Sequence, residues 1–225
     1  MVPVGFWERV NGLYLYIRQN TAGAVLGRSQ RYQVLNSLIE RRQATVGLLI
    51  GSMSHDVAYQ FIKLGRNLER ADMTTRIIDV NSAVNIPDDE IVAEPAQARL
   101  WMSVLTAISA YQMYRRHVGV HVRGPAVVKY LLTDSQFPRS VQHCLAEIEG
   151  CVAALPDHAR PLRAIRRAWR RLSGIQLEKR SAADLHIELD EMQVDLAEIH
   201  NELAAQYFHL YQQHGTGQAQ QQMNR

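Results

Sequence analysis

The sequence predicts an all-α fold, a multi-helix bundle of about seven or eight helices with no sheet. Three observations predict it: apolar residues recur at helical spacing almost everywhere, no run alternates apolar and polar residues between hairpin turns, and Gly, Ser and Pro punctuate the periodic stretches. Residues 6–19 and 28–50 form the first two periodic stretches. Gly51, Ser52 and Ser54 then break the chain, and Ser54 or Asp56 is placed to cap a helix over 57–80. The segment 81–95, with Pro87, Asp88, Asp89, Glu90 and Pro95, is the longest polar connection and the candidate lid or linker. A helix over 96–118 follows, and a short one over 125–132. Turns at 135–138 and 155–161 precede helices over 138–155 and 161–172, with Pro138 and Pro161 suited to first helical positions. The last helix, over 182–212, carries the clearest seam: Leu185, Leu189, Met192, Leu196, Ile199, Leu203 and Leu210.

The bulk numbers exclude some classes. With 225 residues and 47% hydrophobic content, the chain can bury one sizeable core or two small ones. Lys and Arg total 25 against 22 Asp and Glu, a net charge of +3 that demands neither nucleic acid nor membrane as a partner. Cys144 and Cys151 lie seven apart, about 10 Å by helical rise, too far to bridge each other. They read as core residues of a reducing compartment. The N-terminus lacks a signal-peptide pattern, and the longest apolar run, 46–50, is far short of a membrane span. The expected location is the cytoplasm, with a single domain over 1–213 and a disordered Gln-rich tail over 214–225.

Charge is distributed unevenly. Between Ser181 and Gln213 the last helix has seven acids, Asp184, Glu188, Asp190, Glu191, Asp195, Glu198 and Glu202, and no Lys or Arg. Between Asp157 and Arg171 lie six arginines, Arg160, Arg163, Arg166, Arg167, Arg170 and Arg171, around an apolar seam of Leu162, Ile165, Trp169 and Leu172. Antiparallel pairing of these two helices is the economical reading. Trp169 fits the seam, which argues against a stacking site for nucleic acid.

The stretch KLGRNLERADMTTRIID, 63–79, is the candidate functional helix. At about 100° per residue, Phe61, Leu64, Leu68, Ala71 and Ile78 form one apolar arc, and Ile62, Met73 and Ile77 a second. Between them runs a stripe of Gly65, Glu69, Asp72, Arg76 and Asp79, while Lys63, Asn67, Arg70 and Thr74 take the outward side. Charges flanked by apolar surface on both sides are expected to be buried, and buried charges must be paired. Arg76 stands four residues after Asp72 and three before Asp79, which supplies the pairs. Two readings stay open: a salt-bridge network that fixes helix register, or a polar pocket. In the second, Arg66, Arg70 or Arg76 holds a carboxylate or phosphate and Glu69 orients it or shuttles a proton.

Other chemistry is poorly represented. None of the nine histidines has a glutamate three residues earlier, so the Glu-x-x-His pairs of bundle metal sites are missing, and neither a metal nor a cofactor is expected. His186 with Asp190, and His200 near Glu198, are the nearest approach to a ligand pair. Phosphate loops and nucleophile elbows are absent. The loop 117–125, HVGVHVRGP, reads as a connector able to line a cleft.

The blocks FIKLGRNLERADMTTRIIDV, WMSVLTAISAYQMYRR, YLLTDSQFPRSVQHCL and LHIELDEMQVDLAEIHNELAAQYF, in that order, resemble the alpha-E family, an alpha-helical domain with a Glu-Arg motif. Here that motif is Glu69-Arg70, and the resemblance runs from Phe6 to Phe208. It implies a bacterial helical protein associated with a circularly permuted ATP-grasp protein, and often with a transglutaminase-like protease. Full-length relatives are expected to carry a further LGRYLER-like helix ahead of the part seen here, so this chain reads as a shortened or incomplete member. The leading expectation is an accessory module, not an enzyme on its own, that binds an ATP-grasp amide ligase or its peptide-like substrate through Arg66, Glu69, Arg70, Asp72 and Arg76. One alternative is an enzyme acting on a carboxylate or amide, with Glu69 as acid or base and the arginines as anion clamps. The other is a purely structural helical protein. A second subunit is a candidate cover for the stripe.

Overall fold

A computed structural model describes residues 3–21, 27–83, 90–175 and 182–208. The described residues form nine α-helices and no strand: α1 (Val4–Thr21), α2 (Arg28–Ser52), α3 (Val57–Ser82), α4 (Glu90–Ala107), α5 (Tyr111–His117), α6 (Gly124–Thr133), α7 (Val141–Ala153), α8 (Ala159–Gly174) and α9 (Ala182–Tyr207). The all-α expectation is met. Asp56 is the cap of α3, its Oδ1 accepting from Tyr59 N at 3.2 Å.

Three boundaries stand out as different from the sequence reading. The helix expected over 96–118 is two, because Ser109 adopts φ 58° and Ala110 N bonds back to Leu105 O at 2.7 Å, ending α4 before α5 begins. α4 starts at Glu90, so the polar connection is shorter than 81–95, and 84–89 lie outside the described residues. Pro138 precedes α7 instead of opening it: Asp134 Oδ1 accepts from Gln136 N and Phe137 N at 2.9 and 2.6 Å, and Ser140 caps the helix by accepting from His143 N at 3.1 Å. Finally, Leu210 and the whole 214–225 tail lie outside the described residues.

The chain divides into two compact units, 1–60 and 61–225. In the first, α1 and α2 pack on each other, with the Arg41 guanidinium 4.4 Å from the centre of the Tyr16 ring. Among its described residues the buried side chains are few, namely Val34, Thr45, Leu49, Met53 and Tyr59, while Trp7, Tyr32 and Leu35 are mostly exposed. The second unit holds the main core. Leu105, Tyr114, Leu131, Leu145, Ile148, Ile165, Leu189, Met192 and Ile199 are essentially inaccessible to water. Each fully buried Leu, Ile or Met contributes roughly 1.5–3 kcal/mol, so this unit carries most of the hydrophobic stabilisation.

α8 and α9 pack antiparallel, as their charges predict. Arg160 Nε lies 3.2 Å from Glu202 Oε2 near one end, and Arg171 Nε lies 2.5 Å from Asp195 Oδ2 near the other, with Arg171 also bound to Glu191. Trp169 faces α7, where its Nε1 donates to Glu149 Oε2 at 2.9 Å. Cys144 and Cys151 are buried free thiols. No helix among the described residues is long and apolar enough to cross a membrane.

Candidate functional site

The inward face of α3 is built from Leu64, Asn67, Ala71, Thr74, Thr75 and Ile78, all buried. This reverses part of the sequence reading, which put Asn67 and Thr74 outside and the stripe of Gly65, Glu69, Asp72, Arg76 and Asp79 inside. In the structure Gly65, Glu69 and Arg76 are exposed, and Asp72 and Asp79 are only partly covered. Hydrogen bonding explains the reversal. Asn67 Nδ2 donates to Lys63 O at 2.9 Å, Thr74 Oγ1 to Arg139 O at 2.8 Å and Thr75 Oγ1 to Asp72 O at 2.7 Å, so each small polar group is satisfied where it is buried. Burying the charges would cost far more. The second apolar arc does not close the stripe either, since Met73 is 54% exposed.

The two edges of α3 are tied to different neighbours. On one side Lys63 Nζ reaches Glu147 Oε2 of α7 at 2.6 Å, and Arg70 Nη1 reaches Pro138 O at 3.5 Å in the turn before α7. On the other, Asp79 Oδ1 pairs with His186 Nδ1 of α9 at 2.6 Å. Phe61 packs edge-to-face against Tyr207 and Phe208, with ring centres 5.3 Å apart in both pairs. The outer surface between these edges carries Glu69, Met73, Arg76 and Val80, with half-buried Arg66 at its α7 border.

Electrostatics follow from these placements. The expected Asp72–Arg76 pair is present, Arg76 Nε donating to Asp72 Oδ2 at 2.8 Å, and this bond raises the guanidinium's pKa further. Asp79 is not Arg76's partner; it serves His186, and first by that hydrogen bond, then by its charge, holds the imidazole above its ordinary value of 6.5. His186 was paired with Asp190 in the sequence reading. Burial pushes the Cys144 thiol up to about 12, against the opposing pull of Arg70, Arg139 and Arg66.

Arg66 stands apart from its neighbours. Its Nε is buried and donates to no acceptor among the described residues, whereas Lys63 and Arg70 on the same side of the helix both have partners. The five sequence-predicted residues therefore share one helix but not one environment. Glu69 and Arg76 belong to the outer surface, Arg66 and Arg70 lean to the α7 edge, and among the described residues the Asp72 carboxylate is held by Arg76. Glu147, Arg139 and His186 were not anticipated around α3. Of these only His186 was singled out in the sequence, with Asp190 as its partner.

Two other features have known positions. In the loop read as a connector, His121, Val122 and Arg123 border an open cavity of about 480 Å3 together with Glu94 and Met102. Tyr114 Oη donates to His121 O at 3.2 Å and anchors that loop. No group of three or more His, Cys, Asp or Glu among the described residues is arranged to hold a metal ion.

Comparison with known proteins places the chain in a family. An uncharacterised protein of Mycobacterium bovis and two of Mycobacterium tuberculosis are each 30% identical to this chain over 159 residues, covering 68% of it. The matched part spans 17% of each of those proteins. No solved structure matches. The profile of Alpha-E, a predicted alpha-helical domain with a conserved ER motif, matches residues 1–208. With nine helices among its described residues, Glu69-Arg70 on the third of them, and a match along nearly its whole length, this chain belongs to the Alpha-E family.

Proposed function

We propose that this chain is a helical accessory module of an amide-bond-forming or amide-bond-cleaving system. It engages a circularly permuted ATP-grasp ligase, or that ligase's peptide-like substrate, through the outer surface of α3. The observation that supports this is the Arg66 guanidinium, whose Nε is buried without an acceptor. Leaving a buried donor unpaired costs about 1–3 kcal/mol, and a partner's carboxylate lessens that cost if the half-buried guanidinium turns outward to meet it. Glu69 and Arg76 supply exposed charges of both signs beside it, and Met73 and Val80, 54% and 68% exposed, supply apolar surface. That mixture suits a transient protein contact. The transglutaminase-like protease of the same setting and a second copy of the chain would compete for the same surface.

The enzymatic alternative has less support. A catalytic acid or base is normally held by burial and a partner, and Glu69 is exposed with no hydrogen bond or ion pair to a described residue. The test is recovery of the ATP-grasp protein from source cells on the tagged chain, compared with a folded Arg66→Gln/Arg70→Gln variant. Recovery is expected to fall at least about tenfold in the variant, the loss typical of removing a charge pair desolvated at an interface. Equal recovery by both, or by neither, overturns the proposal. Full partner binding by a Glu69→Gln variant that loses turnover of an amide substrate would move the assignment to the enzyme.

A further inference from the structure

α8 carries six arginines, and the structure divides them into two groups. Arg160 and Arg171, near its ends, are held by Glu202, Asp195 and Glu191 of α9. Arg163, Arg166, Arg167 and Arg170 are exposed, and none has an ion pair or hydrogen bond with a described residue. The division follows from the helix itself. Pro161, Ala164, Ile165, Ala168 and Leu172 fix the buried side, which turns the positions three and four residues apart between them to the opposite surface. The four side chains therefore run in a line along one face, close enough to repel one another.

From this face we infer that α8 is a docking surface for an acidic protein segment. Three observations select that occupant. The basic line is one helix wide, because carboxylates border it on both sides, Glu191 and Glu202 from α9 and Glu149 from α7. A narrow acidic segment fits between these borders; a duplex or an anionic membrane surface would overlap them and be repelled. Secondly, a single nucleic-acid strand needs aromatic faces on which its bases stack, and the helix's one aromatic, Trp169, is half-buried with its indole nitrogen committed to Glu149. Thirdly, guanidinium forks match carboxylates in bidentate fashion, and four in a row present that match at successive turns. The surface is separate from α3, so its occupant need not be the ligase.

The test is anisotropy of a short labelled peptide of glutamate and serine, titrated with the full chain. Saturable binding is expected, weakening about tenfold between about 50 and 200 mM salt as screening sets in. A variant with Arg163→Gln, Arg167→Gln and Arg170→Gln should lose that binding while keeping its circular dichroism. A control with Arg31→Gln, Arg99→Gln and Arg116→Gln, which removes equal charge at exposed sites elsewhere, should keep it. Unchanged binding by the first variant, equal loss in the control, or absence of binding at low salt overturns the inference. Tighter binding of a single-stranded oligonucleotide or of phosphatidylserine vesicles than of the peptide would also overturn it. Loss of ATP-grasp recovery by the α3 variant with peptide binding intact would leave this inference standing, and the converse result would remove it alone.

Discussion

A buried donor without an acceptor is a small defect that the folded chain tolerates, and Arg66 Nε is such a defect. Replacing Arg66 by Met, which keeps the long stem and removes the donor, should raise stability by about 1 kcal/mol in urea unfolding while weakening partner recovery. A loss of stability would mean that the guanidinium is satisfied in solution. His186 makes a different prediction at the same scale. Asp79 raises its pKa, so the folded state binds a proton more tightly than the unfolded chain does. The stabilisation is fully present below the ordinary value of 6.5 and is lost as pH rises through the raised value. His186→Gln should flatten the fall in thermal midpoint across that window and leave the midpoint above it unchanged; an identical slope in the variant would refute the assignment.

Helices show which parts of the sequence were legible. α8 and α9 were readable because their apolar seams and opposite charges agree, and opposite charge on facing helices has one economical arrangement. The same agreement predicts an imbalance of costs. Asp195 is 3% exposed and leans on Arg171, so Arg171→Ala should cost about 2–3 kcal/mol by stranding a buried carboxylate, and Arg171→Ala with Asp195→Ala much less than the sum of the single changes. A double-mutant cycle in denaturant reads both. α3 was only half readable. Counting every polar residue as outward gives Asn67 and Thr74 the wrong face, since nothing in the sequence reveals the carbonyls of Lys63 and Arg139 that accept their hydrogen bonds. The break between α4 and α5 was hidden for a related reason: Ser109 takes a left-handed conformation without any glycine or proline to announce it. The pair Glu69-Arg70 is visible in the sequence; its surroundings, above all the buried Nε of Arg66, depend on tertiary placement.

On the scale of the whole molecule, the two units differ in how much apolar surface they hide. α7 contributes Val141, Leu145, Ile148 and Val152 at 0% exposure, whereas α1 and α2 leave Trp7, Tyr14, Tyr32 and Leu35 more than half exposed. Two helices with so thin a core are marginal on their own. Hydrogen exchange should therefore be faster in α1 and α2 than in α7 by about a hundredfold or more, the separation expected between a locally opening segment and a global core. Comparable protection would show that the first unit is held as firmly as the second. The buried thiols give the second unit a clock of its own. With Cys144 raised to about 12 and Cys151 raised as well by burial, neither sulfur is a useful nucleophile in the closed bundle. Alkylation can then proceed only through opened molecules, so its rate in native buffer counts how often α7 parts from its neighbours. That frequency, followed with and without a ligand on α3 or α8, turns two chemically inert residues into a reporter of what each surface binds.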